Sequence, residues 1–179
     1  MPTDEYDYNE FPLAYLITFR CYGTWLHGDA RGSVDREQNV YGTPFLPRDE
    51  ARENEERLRL KHPPVTLDEA SRLIVEQTIP EVCQYRGWAL RAISVRTNHA
   101  HAVVSAQCHP DKVLNDFKAY CTRRMKEDGL WKSKTSPWAE HGSKRYLWKE
   151  QNVARAIDYV LNHQGDALPP DFDDPGKPF

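Results

Sequence analysis

The sequence lacks the features of a membrane protein and of a disulfide-bonded secreted protein. None of its apolar runs approaches the ~20 residues that a membrane-spanning helix needs, and its acidic start, MPTDEYDYNE, has no apolar signal region. The four cysteines include no Cys-x-x-Cys pair and fit no zinc-binding spacing. We therefore expect reduced cysteines in a soluble cytoplasmic protein that has no membrane partner.

The chain is long enough for a single packed core. It has 179 residues, of which 39% are hydrophobic. We expect one domain over residues 1–164, with a long irregular insertion at about 23–65 that is rich in glycine and proline. An acidic, proline-rich tail follows at 165–179.

Charge is unevenly distributed along the chain. The net charge of −3 argues at first sight against a nucleic-acid partner. The first ten and last fifteen residues together carry −7, however, which leaves +4 on the body of the chain. A local basic face can bind phosphate whatever the total charge, although an ordinary solvated surface gives the same count.

Hydrophobic periodicity and turn residues predict alternating strands and helices. The first strand covers 14–22, and a long helix opens at Thr66, where Glu69 completes a capping-box pattern. The other predicted elements are a short charged helix within 48–60, strands at 88–96 and 99–106, a helix at about 110–128, a strand at 144–149 and a helix at 152–163. This order predicts an α+β protein with a ferredoxin-like (RRM-like) antiparallel sheet covered by helices.

Two histidines on one predicted strand are the first candidate site residues. Alternate residues of a strand share a face, so His99 and His101 are expected to point the same way and could share one cation. Ala100 and Ala102 then point the other way, where a helix can pack closely. A single His-x-His pattern is weak, and two ordinary surface or hydrogen-bonded histidines would give it as well.

Tyr120 is the candidate nucleophile on the next helix. A helix that follows such a strand can pack back across the sheet and carry Tyr120 toward the two histidines. A phenol with a pKa near ~10 is a poor nucleophile at neutral pH, but neighbouring cations and a metal-polarised phosphate would ease its attack. The alternative is that Tyr120 only packs at the edge of the hydrophobic core.

These motifs, in this order, resemble the single-tyrosine HUH transposases, which include the REP-associated tyrosine transposases and the insertion sequence 200-type transposases. The resemblance covers about 14–163. It is carried by His99-Ala-His101, Phe117-Lys-Ala-Tyr120-Cys-Thr-Arg123-Arg124, Tyr22-Gly-Thr-Trp-Leu-His-Gly-Asp-Ala-Arg-Gly32, Leu147-Trp148 and Tyr159-Val-Leu-Asn-His163.

The resemblance implies an HUH endonuclease fold and a metal-dependent single-stranded DNA endonuclease and strand transferase of DNA transposition. His99 and His101 would hold Mg²⁺ or Mn²⁺, and Tyr120 would form a covalent 5′-phosphotyrosine intermediate. The implied partner is single-stranded or hairpin DNA. Relatives act as monomers or as dimers with shared active sites, so a homodimer stays open.

One position departs from the family pattern. Where relatives carry a polar third ligand, one turn after the tyrosine, this chain has Arg124, which cannot bind a cation. Glu127 or Asp116 could replace that ligand because both would lie near Tyr120 on its helix. Water could also complete the shell, and both acids could simply be solvated charges.

Further basic and aromatic residues are candidates for DNA contact. Trp25 in the loop after the first strand could stack on bases, although a purely structural loop is the alternative. The full set of candidates is Trp25, Arg31, Arg36, Lys118, Arg123, Arg124, Lys144, Arg145 and Lys149.

Two rival functions remain at this point. One is a non-catalytic single-stranded DNA- or RNA-binding module derived from a transposase, which would bind without metal and form no adduct. The other is a metal-dependent hydrolase of small phosphoesters with a water nucleophile, whose turnover would not need a tyrosine.

Overall fold

A computed structural model describes residues 11–26 and 49–162. Its elements in chain order are β1 (Ala14–Cys21), α1 (Glu50–Leu58), α2 (Glu69–Arg86), β2 (Ala89–Val95), β3 (His99–Ser105), α3 (Pro110–Glu127), β4 (Trp138–Leu147) and α4 (Glu150–Asn162). None of the helices in these two ranges is long and apolar enough to cross a membrane.

The four strands form one antiparallel sheet in the order β2-β3-β1-β4. With the helices inserted between the strands, this is the ferredoxin-like α+β arrangement that the sequence predicted. Central strand β1 is buried along nearly its whole length because both of its edges are paired and both of its faces are packed.

Helices α2 and α3 cover one face of the sheet. Every second residue of β1, from Tyr15 to Cys21, joins the larger hydrophobic core on this face. Ala100 and Ala102 of β3 contribute to the same core, and their small side chains allow α3 to approach through Phe117, as the sequence predicted.

Helix α4 covers part of the opposite face. Leu16 and Val103 meet Ala156 and Val160 there in a second, smaller hydrophobic cluster. The sheet is therefore sandwiched unequally, with two long helices on one side and one shorter helix on the other.

Several predicted boundaries need correction. Helix α2 begins after Asp68, whose carboxylate accepts a hydrogen bond from the backbone N–H of Ser71, so the predicted cap at Thr66 is wrong. Pro80 lies inside α2, which continues to Arg86. Gly87 follows as the C-cap, in the left-handed conformation (φ +70°). Strand β4 begins at Trp138 and is longer than predicted. About half of the predicted insertion, residues 27–48, and the whole predicted tail lie outside the described residues.

Candidate active site and nucleic-acid interface

His99 and His101 lie side by side on the sheet face that α4 partly covers. Their ring centroids are 4.7 Å apart, with the planes at 74°. In the β1–β3 register, His101 lies opposite Thr18 and His99 lies opposite Arg20. The pair therefore occupies the end of β3 that starts from the turn after β2.

A neighbouring side chain contacts the Nδ1 atom of each imidazole. The Oγ1 atom of Thr18 lies 2.6 Å from Nδ1 of His101, and the Oδ1 atom of Asn98 lies 2.6 Å from Nδ1 of His99. With Nδ1 engaged in both rings, a cation shared by the two histidines would be bound through Nε2.

Burial keeps His101 uncharged. Its pKa is lowered to about 3, mainly by desolvation and further by nearby His99, Arg20 and Arg96. His101 is therefore neutral at pH 7. The neutral ring is the form that binds a metal ion, so this donor set fits two ligand positions of a divalent cation.

Tyr159 of α4 is the tyrosine that lies beside the histidines. Its ring centroid is 5.6 Å from that of His101, at an interplanar angle of 78°, and the residue is 9% exposed. The sequence prediction did not place this residue beside the histidines. The available signal was its helical spacing, since Tyr159 follows the buried Ala156 by three residues and directly precedes the buried Val160.

The structure contradicts the predicted convergence of Tyr120 with the histidines. Tyr120 lies on α3, which packs on the other face of the sheet. There it neighbours Tyr85, with ring centroids 6.3 Å apart, and the guanidinium of Arg123 lies 4.7 Å from its ring centroid. The reason is the alternation of β3, because Ala100 and Ala102, and not the histidines, face α3.

The two residues predicted as a third metal ligand are also on α3 and do not lie beside the histidines. Asp116 forms ion pairs with Arg86 at 2.9 Å and with Lys112 at 3.1 Å. Glu127 is exposed and lines a cavity of about 290 Å³ beside Tyr120. Within residues 11–26 and 49–162, no group of three His, Cys, Asp or Glu side chains could hold a metal ion.

Most of the predicted DNA contacts on α3 and β4 have protein partners on that same face. Lys118 donates hydrogen bonds to the carbonyl oxygens of residues 139, 140 and 141, at 2.8, 3.2 and 3.1 Å, which engages all three of its N–H bonds. Lys144 pairs with Asp111, and Arg124 lies 3.4 Å from Glu81. These three cations are therefore not arranged around the histidines.

Other predicted contacts lie closer to the histidines or outside the described structure. The guanidinium of Arg20 lies 3.2 Å from the ring centroid of Trp25. Arg145 pairs with Leu16 in the sheet and so shares the histidine face. Lys149 follows the opposite end of β4. The predicted contacts Arg31 and Arg36 lie outside the described residues.

Arginines that the sequence prediction did not name complete the surroundings of the site. Arg20 and Arg96 both contribute to the lowered pKa of His101, which places their charges near its ring. Arg145 lies on the same face of the sheet, because it pairs with Leu16 of β1.

Of the comparisons with known proteins, the one with solved structures gives matches. No family model matches the chain, and no curated protein matches it. One similar solved structure is a REP-associated tyrosine transposase bound to a REP hairpin, with 11% identity, 82% of this chain covered and a TM-score of 0.45. The match spans only 63% of that transposase. Another is a protein of Deinococcus radiodurans R1 assigned as a candidate transposase, with 13% identity, 85% and 91% coverage and a TM-score of 0.43.

The first neighbour is named as a REP-associated tyrosine transposase, and the second only as a candidate transposase. At this identity the likeness carries no weight for the site or its reaction.

Proposed function

We propose that the protein is a metal-dependent single-stranded DNA endonuclease and strand transferase, a transposase in which Tyr159 is the nucleophile. The observation that carries this proposal is the grouping of His99, His101 and Tyr159 on one sheet face, with successive ring centroids 4.7 and 5.6 Å apart. Two imidazoles beside a phenol are the groups that tyrosine-dependent transfer of a phosphodiester needs.

His99 and His101 would hold the divalent cation through their Nε2 atoms. Bound there, Mg²⁺ or Mn²⁺ would polarise the scissile phosphate and orient it. Imidazole suits hard Mg²⁺ poorly, so Mn²⁺ is expected to bind more tightly. Any remaining ligands would be water, DNA or residues outside the described ranges.

Tyr159 would carry out the transfer itself. Its phenol oxygen attacks phosphorus and loses its proton to solvent, while the bond between phosphorus and the 3′ oxygen breaks. The 3′ oxygen takes up a proton and leaves as a hydroxyl, and the 5′ phosphate stays on Tyr159. Attack by the 3′-hydroxyl of another strand reverses these steps and joins DNA. The bond between Tyr159 and phosphate would keep the energy of the phosphodiester bond, so no nucleotide cofactor is needed.

The surroundings of the histidines support single-stranded DNA as the substrate. Arginines that track phosphates and aromatic rings that stack on bases are the usual means of holding a single strand. Arg20, Arg96 and Arg145 supply the first, and Trp25 is proposed to supply the second. Arg123, Arg124, Lys144 and Lys149 would contact only a strand that extends beyond this face. A protein with this substrate is expected at the nucleoid.

The decisive experiment compares two tyrosine variants. A 3′-labelled, hairpin-bearing single-stranded DNA is incubated with Mn²⁺ and protein, and covalent adducts are resolved on a denaturing gel. We expect adducts from the wild type and from Tyr120→Phe, and none from Tyr159→Phe. Tyr120→Phe is the matched control because it removes one phenol oxygen from the opposite side of the sheet. An adduct from Tyr159→Phe, or its loss in Tyr120→Phe, would refute the assignment.

The role of the histidines is tested by separating binding from cleavage. We expect His99→Ala to reduce Mn²⁺-dependent cleavage by at least about 100-fold, since loss of a residue that only supports a metal ligand already costs about 10–100-fold, while the affinity for the same oligonucleotide measured in EDTA changes little. Equal losses in binding and cleavage would argue against a metal role.

Mixing variants tests whether two chains of a homodimer share one active site. Tyr159 lies beside His101 of its own chain, so a mixture of Tyr159→Phe and His99→Ala proteins is expected to form no adduct. Adduct formation by the mixture would show that two chains share one active site.

A non-catalytic nucleic-acid-binding module is the second candidate. It is favoured by the lack of a third acidic, cysteine or histidine ligand within the described ranges. This function predicts metal-independent binding of single strands and no adduct from the wild type with any hairpin oligonucleotide.

A further inference from the structure

Thr18 of β1 contacts the buried His101 of the neighbouring strand β3. Its Oγ1 atom lies 2.6 Å from Nδ1 of His101, and the two residues are 5% and 6% exposed. They lie directly opposite each other in the β1–β3 register. The backbone hydrogen bonds of two central strands therefore fix this contact, and a flexible loop plays no part in it.

His99 has a comparable but chemically simpler partner. The carboxamide oxygen of Asn98 lies 2.6 Å from its Nδ1 atom, and an amide oxygen only accepts hydrogen bonds. Nδ1 of His99 must then carry the proton, which leaves the lone pair on Nε2. The backbone carbonyl of Asn98 accepts a hydrogen bond from the N–H of Cys21 at 2.8 Å, so this turn is anchored to β1.

The hydroxyl of Thr18 differs because it can either donate or accept. If it donates to Nδ1, the proton of His101 lies on Nε2 and blocks metal binding there. If it accepts, Nδ1 carries the proton and Nε2 presents its lone pair in the same way as His99 does. Only the second arrangement lets both rings bind one cation.

We propose that Thr18 is the positioning residue of the metal site: its hydroxyl accepts the Nδ1–H of His101 when the cation is bound, so that both histidines bind through Nε2. The inference rests on the proposed function for the identity of the bound ion. Positioning His101 is a role distinct from the proposed attack by Tyr159 and from the proposed contacts with DNA.

The test measures Mn²⁺ affinity without DNA, by isothermal titration calorimetry on the full chain. Loss of such a partner typically lowers metal affinity about 10–100-fold, and we expect a loss in this range for Thr18→Val. Thr18→Ser keeps the hydroxyl and is expected to stay within about threefold of the wild type.

A matched control is available on the other side of His101. Ser94 of β2 pairs with His101 in the sheet, and no hydrogen bond joins the two side chains. Ser94→Ala removes a hydroxyl from an equivalent cross-strand position and is expected to leave Mn²⁺ affinity unchanged. Circular dichroism of each variant shows that the fold is kept.

A direct readout comes from nitrogen-15 NMR of labelled histidine with Zn²⁺ as a diamagnetic probe. We expect both loaded histidines to show a protonated Nδ1 and a metal-shifted Nε2, and Thr18→Val to lose this signature at His101. Wild-type affinity in Thr18→Val, or a protonated Nε2 on loaded His101, would overturn the proposal for Thr18 alone. A wild type that binds no metal would overturn the metal role in the proposed function as well.

Discussion

Lys118 ties helix α3 to the start of strand β4. All three N–H bonds of its ammonium are directed to backbone carbonyls of residues 139–141, and its pKa is lowered chiefly by burial. A lysine held in this way stabilises the fold and has no donor left for DNA. The sequence could not show this, because the carbonyls that it contacts follow more than twenty residues later.

Replacing Lys118 by methionine is expected to destabilise the protein. The change keeps most of the side-chain volume but leaves partly buried carbonyls without a donor, which typically costs about 1–3 kcal/mol. Urea unfolding measures the difference. Lys126→Met, on the exposed side of the same helix, is the control and is expected to change little. An unchanged unfolding midpoint for Lys118→Met would contradict the structural role.

The histidine pair was predictable from the sequence, whereas its tyrosine partner was not. The period of a strand places His99 and His101 on one face whichever face that is. Which helix covers that face depends on tertiary packing, and proximity in the chain favoured Tyr120. The histidines are instead met by Tyr159, a residue that the sequence resemblance contains but to which the chemistry was not assigned.

At the level of single elements, strand β4 depends on a glycine. A Cβ atom added to Gly142 would lie 2.6 Å from the backbone oxygen of Thr18 and 2.9 Å from a methyl group of Leu114. The backbone oxygen cannot move without disturbing β1, so no larger residue fits between the sheet and α3.

Gly142→Ala is therefore expected to lower the free energy of unfolding by about 1–3 kcal/mol, the usual range for overpacking. Because the clash is with the backbone of Thr18, Mn²⁺ affinity should fall as well. Ser143→Ala at the exposed next position is the control. A Gly142→Ala protein as stable as the wild type would show that β4 can move away from β1.

The start of helix α2 offers a prediction with a pH dependence. The backbone N–H and side chain of Ser71 lower the pKa of Asp68 below its usual 3.8. A lowered carboxyl pKa stabilises the fold above the unfolded value and loses this effect as the pH falls through the folded value.

Asp68→Ala is thus expected to lower the urea midpoint at pH 6, with a difference from the wild type that shrinks below about pH 4. Thr66→Ala, which changes the cap predicted from the sequence, should have the smaller effect at every pH. The reverse order of the two variants would restore Thr66 as the cap.

Among the other elements, β1, β2, β3 and α3 were predicted to within about two residues, because periodicity and turn residues mark them clearly. Helix α2 was harder, since Pro80 suggested an end and two acceptable caps lie two residues apart. In α4, Leu161 is 57% exposed, whereas Ala156, Tyr159 and Val160 are buried against the sheet.

For the molecule as a whole, the order of elements was enough to predict the ferredoxin-like sheet, because a tight β2–β3 turn and helical crossovers leave few ways to pair four strands. The distribution of function between the two faces was not predictable, since both α3 and α4 carry a tyrosine on a partly apolar helix.

Thiol reactivity tests the packing of the whole described core. Burial raises the pKa of Cys21, Cys83 and Cys121 to about 12, whereas Cys108 is only partly buried. At pH 8 we expect one thiol to react quickly with Ellman's reagent and three to react slowly, at the rate of unfolding. In guanidinium chloride all four should react at once. A rapid phase of two or more thiols in the native protein would show a looser core.

The unequal sandwich has a consequence for how a reaction would finish. Tyr159 is carried by the helix that the smaller hydrophobic cluster attaches to the sheet, while the histidines lie on β3, which is paired with β1 on one edge and with β2 on the other. Helix α4 can thus detach locally at a lower free energy than the core, and its amides should exchange hydrogen for deuterium before those of α2 and α3. Local detachment of α4 would let a DNA end bound to Tyr159 move away from one cleaved strand and return to another.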